Sequence, residues 1–215
     1  MTLNDPQTLL SQSLDNEKLS AKQKAVLMAS MQLFSEKGFD ATSTSDIAQL
    51  AGVAEGTVYK HFKTKAMILD VILKPFANVV VPQMAKEFSD EVGAETFETL
   101  ADFIHYFLTD RLNYFVVNAP TIKIFVQQAF VRADLVNSIT TNALPMVQKR
   151  LAPIFQSLRR RGELVDWSDV RIIRYIFGAA ISYAAPLLVT NQLAELDVAA
   201  TVSECTEFLV RGLHA

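Results

Sequence analysis

A short segment between Gly38 and Lys65 carries side chains that could contact a nucleic acid. In its second half Val58 and Phe62 lie four residues apart, so they would share one face of a helix. The opposite face would then carry ammonium, hydroxyl and imidazole groups, which can donate hydrogen bonds to DNA. The outward residues are Glu55, Gly56, Thr57, Lys60 and His61, with Tyr59 at the edge.

Two short helical patterns position this face. Thr42 or Ser43 can cap the first helix, and Asp46 falls in its first turn, where a carboxylate favours the positive end of the helix dipole. Gly52 then provides a residue that tolerates positive φ between the two helices. Two short helices on such a tight turn have the geometry that places a recognition helix in a DNA major groove.

A supporting helix precedes the pair. Ser20 and Gln23 form a capping-box pattern, apolar residues recur at helical spacing from Val26, and Gly38 ends the helix. Three such helices make a bundle of roughly 45 residues, which is close to the lower limit for an independent core. We therefore expect the helix that starts after Thr64 to act as a platform.

The stretch from about Val26 to Leu69 resembles the DNA-binding domain of the TetR family of bacterial transcriptional regulators. Two positions depart from the family pattern: Thr44 replaces an apolar residue, and Ala54 replaces a Ser or Thr that often caps the recognition helix. The matches occur in order and without gaps: Val26-Leu27, Ala29-Ser30, Leu33-Phe34, Gly38, Thr42-Ser43, Asp46-Ile47-Ala48, Ala51-Gly52-Val53, Gly56-Thr57-Val58-Tyr59, Phe62 and Lys65.

The resemblance implies a role for each residue of a DNA-binding surface. Contacts to phosphates are implied for Thr42, Ser43, Tyr59, His61 and Lys65. The residues nearest the base edges would be Lys60, Thr57 and Gly56; Lys60 could reach a guanine, and Thr57 or Ala54 a thymine methyl group. The alternative for Tyr59 and His61 is that they complete the edge of the core.

Composition predicts an all-α protein with about nine helices. The chain has 215 residues, half of them hydrophobic, with only seven glycines and seven prolines, and period-two strand patterns do not persist. The predicted domains are a flexible N-terminal arm at 1–19, a helix-turn-helix domain at 20–66, and an effector-binding and dimerisation domain at 67–215. The net charge of −3 disfavours a protein that binds polyanions in bulk.

The C-terminal region consists of apolar helical patterns and resembles the family only loosely. The resemblance implies a small-molecule effector pocket and a homodimer. We expect a mainly apolar pocket among Phe76, Phe103, Tyr106, Tyr114, Gln128 and Met146. Small and apolar residues on the last two helices predict a dimer interface at Phe177, Gly178, Ile181, Ser182, Ala185, Val202, Cys205 and Leu209.

Other classes of protein are disfavoured. Cys205 is the only cysteine, the three histidines lack ligand spacing, and no sequence motif of a hydrolase, phosphate loop or metalloprotease occurs, so we expect no enzyme activity, cofactor or metal. We expect a cytoplasmic repressor that binds a near-palindromic operator. We expect it to bind no membrane, because the uncharged run 175–194 suits a buried helix. The alternatives are an activator of the same fold and a helical small-molecule carrier.

Overall fold

The computed structural model describes residues 6–16, 19–129 and 131–215. The regular elements of these residues are helices, which confirms the predicted all-α class. The helices are α1 (Pro6–Asn16), α2 (Ala21–Lys37), α3 (Thr44–Leu50), α4 (Glu55–His61), α5 (Lys65–Pro75), a π segment (Phe76–Val80), α6 (Val81–Ala94), α7 (Leu100–Val117), α8 (Ala119–Ala129), α9 (Ala133–Asn142), α10 (Leu144–Arg160), α11 (Asp169–Val189), a 3₁₀ turn (Leu193–Glu195) and α12 (Val198–Leu213).

The N-terminal region differs from the predicted flexible arm. Residues 6–16 form α1, whose Leu9, Leu10 and Leu14 are buried in the core of the helix-turn-helix region. The polar composition of residues 1–19 concealed three leucines that repeat at helical spacing and need an apolar partner. Residues 1–5, 17 and 18 lie outside the described residues.

The helices fall into two compact units, and the first is larger than the predicted DNA-binding domain. It comprises Met1–Met84 and Pro120–Asn142, so α5, α8 and α9 belong to it. Its core joins Phe34 of α2, Val58 of α4 and Ile72 of α5 to Phe125 of α8. The three helices predicted at 20–66 therefore complete their core with apolar residues of α5, which precedes α7 in the sequence, and of α8, which follows it.

Pro75 changes the helical register without ending the helix. Proline has no N–H, and its ring crowds the carbonyl four residues earlier. The chain responds by widening into the π segment, where the N–H of Val81 bonds to the carbonyl of Phe76. Phe76 itself is buried against Phe125, with 4.9 Å between the ring centroids. The π segment is thus packed into the first unit.

Polar contacts hold α8 and the turn that follows it to the helix-turn-helix region. The Lys123 ammonium of α8 donates to the Ser35 carbonyl of α2 at 3.0 Å, and its burial lowers the Lys123 pKa. Arg132 pairs with Asp70 of α5 and with Asp134 of α9, the latter at 2.7 Å. Lys123 and Arg132 therefore hold α8 and the turn before α9 to α2 and α5 within the first unit.

The second unit comprises Ala85–Ala119 and Ala143–Ala215 and has α7 at its centre. Phe103 and Phe107 of α7 are buried and meet Phe155 of α10 and Phe177 of α11 edge to face. The other face of α7 packs on α12. An apolar helix that carries core residues nearly all round takes this central position.

Two helical stretches of the described residues are long and apolar enough to cross a membrane, namely Lys65–Ala94 and Asp169–Val189. Both also supply core residues, among them Ile68 and Leu73 of the first stretch and Ile172 and Ile176 of the second. Core helices of folded domains have the same length and composition, so this property carries little weight by itself.

Candidate nucleic-acid interface

The first helix of the pair, α3, begins with a reciprocal cap. The Ser43 hydroxyl accepts from the N–H of Asp46 at 3.0 Å, and the Asp46 carboxylate accepts from the N–H of Ser43 at 3.0 Å. These bonds to Ser43, together with the charge of Lys37, lower the pKa of Asp46. Of the two candidate caps, Thr42 and Ser43, it is Ser43 that caps α3 and fixes where the helix begins.

The turn into α4 also follows the prediction. Gly52 has φ of 66°, and the N–H of Val53 bonds back to the Ala48 carbonyl at 3.0 Å. Ala54 provides no side-chain cap, and the first turn of α4 is closed by the bond from the Thr57 N–H to the Ala54 carbonyl at 2.8 Å. Val58 is buried, and so α4 packs by the expected face.

The outward face of α4 remains open to solvent. Tyr59 is 50% exposed, and Lys60 is also exposed. No ion pair of the described residues involves Lys60 of α4 or Lys63, which follows α4 in the chain. The exposed expected residues are Ser43, Ala54, Gly56, Tyr59 and Lys60, while Thr57 and His61 are half-buried.

Two residues expected at phosphates lie inside the fold instead. Thr42 is only 2% exposed, and its hydroxyl donates to the Gly38 carbonyl at 2.8 Å. The Lys65 ammonium donates to the carbonyls of Phe39 at 2.5 Å and Thr42 at 2.8 Å, with a longer bond to Asp40. These bonds occupy the three ammonium protons, so Lys65 supports the turn before α3 in this structure.

A polar network that the sequence did not reveal joins the two helices. The Thr44 hydroxyl donates to Oε1 of Glu55 at 3.0 Å and lies 2.9 Å from the phenol oxygen of Tyr59. In the sequence, Thr44 stands out only as a departure from the apolar residue of the family pattern. The signal that could have found the network was the presence of a hydroxyl at a position that is apolar in the resembling family.

The six residues expected in an effector pocket are divided between the units. Phe76 and Gln128 belong to the first unit, whereas Phe103, Tyr106, Tyr114 and Met146 belong to the second. Phe103 is fully buried against other rings. A groove of about 580 Å³ in the first unit, lined by residues of α2, α3 and α8, contains none of the six.

The second unit contains a buried charge that the sequence did not indicate as special. Arg111 of α7 is 7% exposed, lies over the Phe88 ring at 3.8 Å and donates from Nε to Asp110 at 2.6 Å. Burial lowers the Arg111 pKa, while Asp110 opposes that shift. A buried guanidinium needs such partners, because an unpaired buried charge would be strongly destabilising.

The residues expected at a dimer interface separate by helix. On α11, Gly178, Ile181 and Ser182 are exposed, and Phe177 and Ala185 are half-buried. On α12, Val202, Cys205 and Leu209 are 1%, 3% and 3% exposed and pack inside their own unit. The large apolar residue of α12 that is exposed is Phe208, at 72%. The amphipathic pattern located the apolar face but could not say that α7 covers it.

Within the described residues no group of three His, Cys, Asp or Glu side chains could hold a metal ion. The open face of α4 carries hydrogen-bond donors and acceptors and the cation of Lys60, and Lys63 adds a second cation directly after the helix. The helix follows a capped helix and a tight turn. This is the arrangement of a helix-turn-helix protein that binds double-stranded DNA.

Known proteins share both the sequence and the fold. Residues 26–72 match the sequence model of the bacterial regulatory proteins of the tetR family. The chain is 26% identical over 194 residues to the fatty acid metabolism regulator protein of Bacillus subtilis, covering 90% of this chain and 96% of that protein. It is 24% identical over 203 residues to the transcriptional repressor KstR of Mycobacterium tuberculosis, covering 94% and 86%.

A solved structure agrees with the fold. The transcriptional regulator FadR from Bacillus subtilis, in complex with stearoyl-CoA, superposes with a TM-score of 0.60 at 22% identity, covering 88% of this chain and 98% of that one. Residues 26–72 are therefore similar to the DNA-binding region of the tetR family of bacterial regulatory proteins, and the chain is similar over nearly its whole length to transcriptional regulators.

Proposed function

We propose that this protein is a cytoplasmic repressor that binds a near-palindromic operator as a homodimer and leaves it when an apolar effector binds. The observation that carries the proposal is the solvent-exposed face of α4, the helix that follows the capped α3 in the chain. Tyr59 and Lys60 are exposed there while Val58 anchors the helix in the core. A helix held in this way can enter a major groove without unfolding its support.

The α4 face supports a division of roles. Lys60 is exposed and is the candidate for a guanine contact, with Thr57 and Ala54 as candidates for a thymine methyl group. Ser43, Gly56 and His61 border this patch and supply candidate phosphate contacts, including the backbone N–H of Gly56. Thr42 and Lys65 act indirectly, by holding the turn between α2 and α3.

A homodimer would place two α4 helices on successive major grooves. The exposed apolar residues Tyr175 and Ile181 of α11 and Phe208 of α12 support such an interface on the second unit. Gly178 and Ser182 lie on the same stripe of α11 and would allow close helix contact. A two-fold contact of this kind gives a symmetric reader, and hence an operator with two related half-sites.

The effector is proposed to be a long acyl chain, carried as an acyl-CoA. The support is the similarity to a fatty acid metabolism regulator over nearly the whole chain and the likeness to FadR, which was solved with stearoyl-CoA. The aromatic and aliphatic interior of the second unit suits an apolar chain. The helix that begins at Lys65 continues through the π segment into α6, which joins the two units along the chain.

The test uses DNA fragments from the region upstream of the gene and of its neighbours, followed by fluorescence anisotropy at several salt concentrations. We expect one specific fragment with two inverted half-sites, and release of the protein by stearoyl-CoA but not by CoA alone. Lys60→Ala should weaken binding at least fivefold, by about 1–3 kcal/mol for a lost base contact. Lys149→Ala, at an exposed lysine of α10, is the matched control. Equal affinity for all fragments would contradict the proposal.

A further inference from the structure

The network around Thr44 has a defined direction. An ionised carboxylate can only accept hydrogen bonds, so the Thr44 hydroxyl spends its single proton on Oε1 of Glu55 at 3.0 Å. The 2.9 Å contact between Thr44 and Tyr59 then needs its proton from the phenol. The order of donation is therefore from Tyr59 to Thr44 to Glu55.

This direction sets what the exposed side of Tyr59 can offer. With its proton turned inward, the phenol oxygen presents only lone pairs to the solvent, beside the second oxygen of the Glu55 carboxylate. Both groups are exposed on α4, one turn apart. The pair is a surface of hydrogen-bond acceptors on the face that is proposed to meet DNA.

Phosphate oxygens accept hydrogen bonds and carry negative charge, so they are poor partners for this surface. The donors of the major groove are the exocyclic amino groups of cytosine and adenine. We infer that Thr44 is a positioning residue for base specificity: it holds Tyr59 as an acceptor and directs it to an amino group of cytosine or adenine rather than to a phosphate. This inference rests on the proposed DNA-binding function and replaces the expected phosphate contact of Tyr59.

Thr44 is suited to this role by its place in the fold. It is the first residue of α3, directly after the Ser43 cap, and it is half-buried. Its hydroxyl touches two residues of α4 that are four apart, so it also fixes the rotation of α4 about its own axis. Valine has nearly the same shape as threonine, and so Thr44→Val removes the hydroxyl with little change in packing.

The experiment selects binding sites from a duplex library with a randomised centre, using the full-length protein. We expect wild type to favour a cytosine or adenine at one position of each half-site. Thr44→Val and Tyr59→Phe should each lower that preference about fivefold, the lower end for a base contact. The double variant should lose no more than either single variant, because both remove one contact. Thr44→Ser keeps the hydroxyl and should retain the preference.

The outcomes separate the explanations. If Tyr59→Phe weakens binding to all sequences equally and lowers the salt slope by about one per subunit, Tyr59 is a phosphate contact and the inference is wrong. An unchanged base preference in Thr44→Val also overturns it, provided that the variant has the wild-type thermal midpoint. If wild type selects no sequence at all, the proposed DNA-binding function fails along with it.

Discussion

Phe208→Ala tests whether α12 meets a second subunit. Phe208 is 72% exposed in the protomer. Burying a phenylalanine side chain completely contributes about 1.5–3 kcal/mol of stabilising free energy. Covering the remaining surface would then contribute about 1–2 kcal/mol per subunit, or about 2–4 kcal/mol in a symmetric dimer. Since each 1.4 kcal/mol is tenfold, the dimer dissociation constant should rise roughly 30- to 700-fold.

Sedimentation velocity over a dilution series measures this constant directly. Val131→Ala is the matched control, because Val131 is 76% exposed and lies in the first unit. It should leave the dissociation constant unchanged. Phe208 contributes little to its own core, so the far-UV circular dichroism of the monomeric variant should match that of wild type. A Phe208→Ala protein that dimerises as tightly as wild type would refute the assignment of this face.

Three further changes test the support of the DNA-binding face. Lys65→Met should lower the free energy of unfolding by about 1–3 kcal/mol in urea titrations and leave the salt slope of DNA binding unchanged, because its ammonium is bound to carbonyls; a slope reduced by one per subunit would restore the phosphate role. Asp46→Asn should lower the urea midpoint at pH 7, and its difference from wild type should shrink as the pH falls below 3.8: the folded pKa of Asp46 lies below that ordinary value, so its contribution is full above 3.8 and disappears as the pH falls through the folded pKa. A difference that persists in acid would rule out the charge as the cause. Arg132→Met should cost about 1 kcal/mol, since its partner Asp70 is partly exposed, and a double-mutant cycle with Asp70→Asn should show coupling; additive effects would mean that the pair contributes nothing.

The polar contacts of α8 and α9 suggest how a signal could reach the DNA-binding face. Lys123 joins α8 to α2, and Arg132 joins the following turn to α5. A displacement of α8 would therefore strain two of the helices that support α4. This route depends on side chains that are far from α4 in the sequence. The double-mutant cycle of Arg132 and Asp70 measures the coupling energy of one of its two contacts.

Local chemistry decided much of the helix-turn-helix region in advance. The Ser43 cap, the positive φ of Gly52 and the burial of Val58 depend on residues within a few positions of one another. Capping, glycine geometry and helical periodicity act at that range, so sequence patterns predict them. The missing cap at Ala54 was visible for the same reason.

Tertiary contacts decided the direction in which individual side chains point. Lys65 reaches carbonyls more than twenty residues away, and Thr44 finds its partners on the next helix. Hydrogen bonds of this kind depend on how helices are arranged in space, which the spacing of residues along one helix does not determine. The sequence showed that these residues were polar and near the DNA-binding face, but only the fold showed which of them face inward.

The second unit shows the same difference between what the sequence pattern predicts and what tertiary contacts decide. The apolar pattern of α12 was enough to say that its residues bury something, yet not whether α7 or a second subunit covers them. The structure places Val202, Cys205 and Leu209 against their own unit and leaves Phe208 outside. Periodicity along a chain records that a helix has an apolar face, because burial favours apolar side chains wherever the partner comes from. The identity of that partner is a property of long-range packing, and so it belongs to the tertiary structure alone.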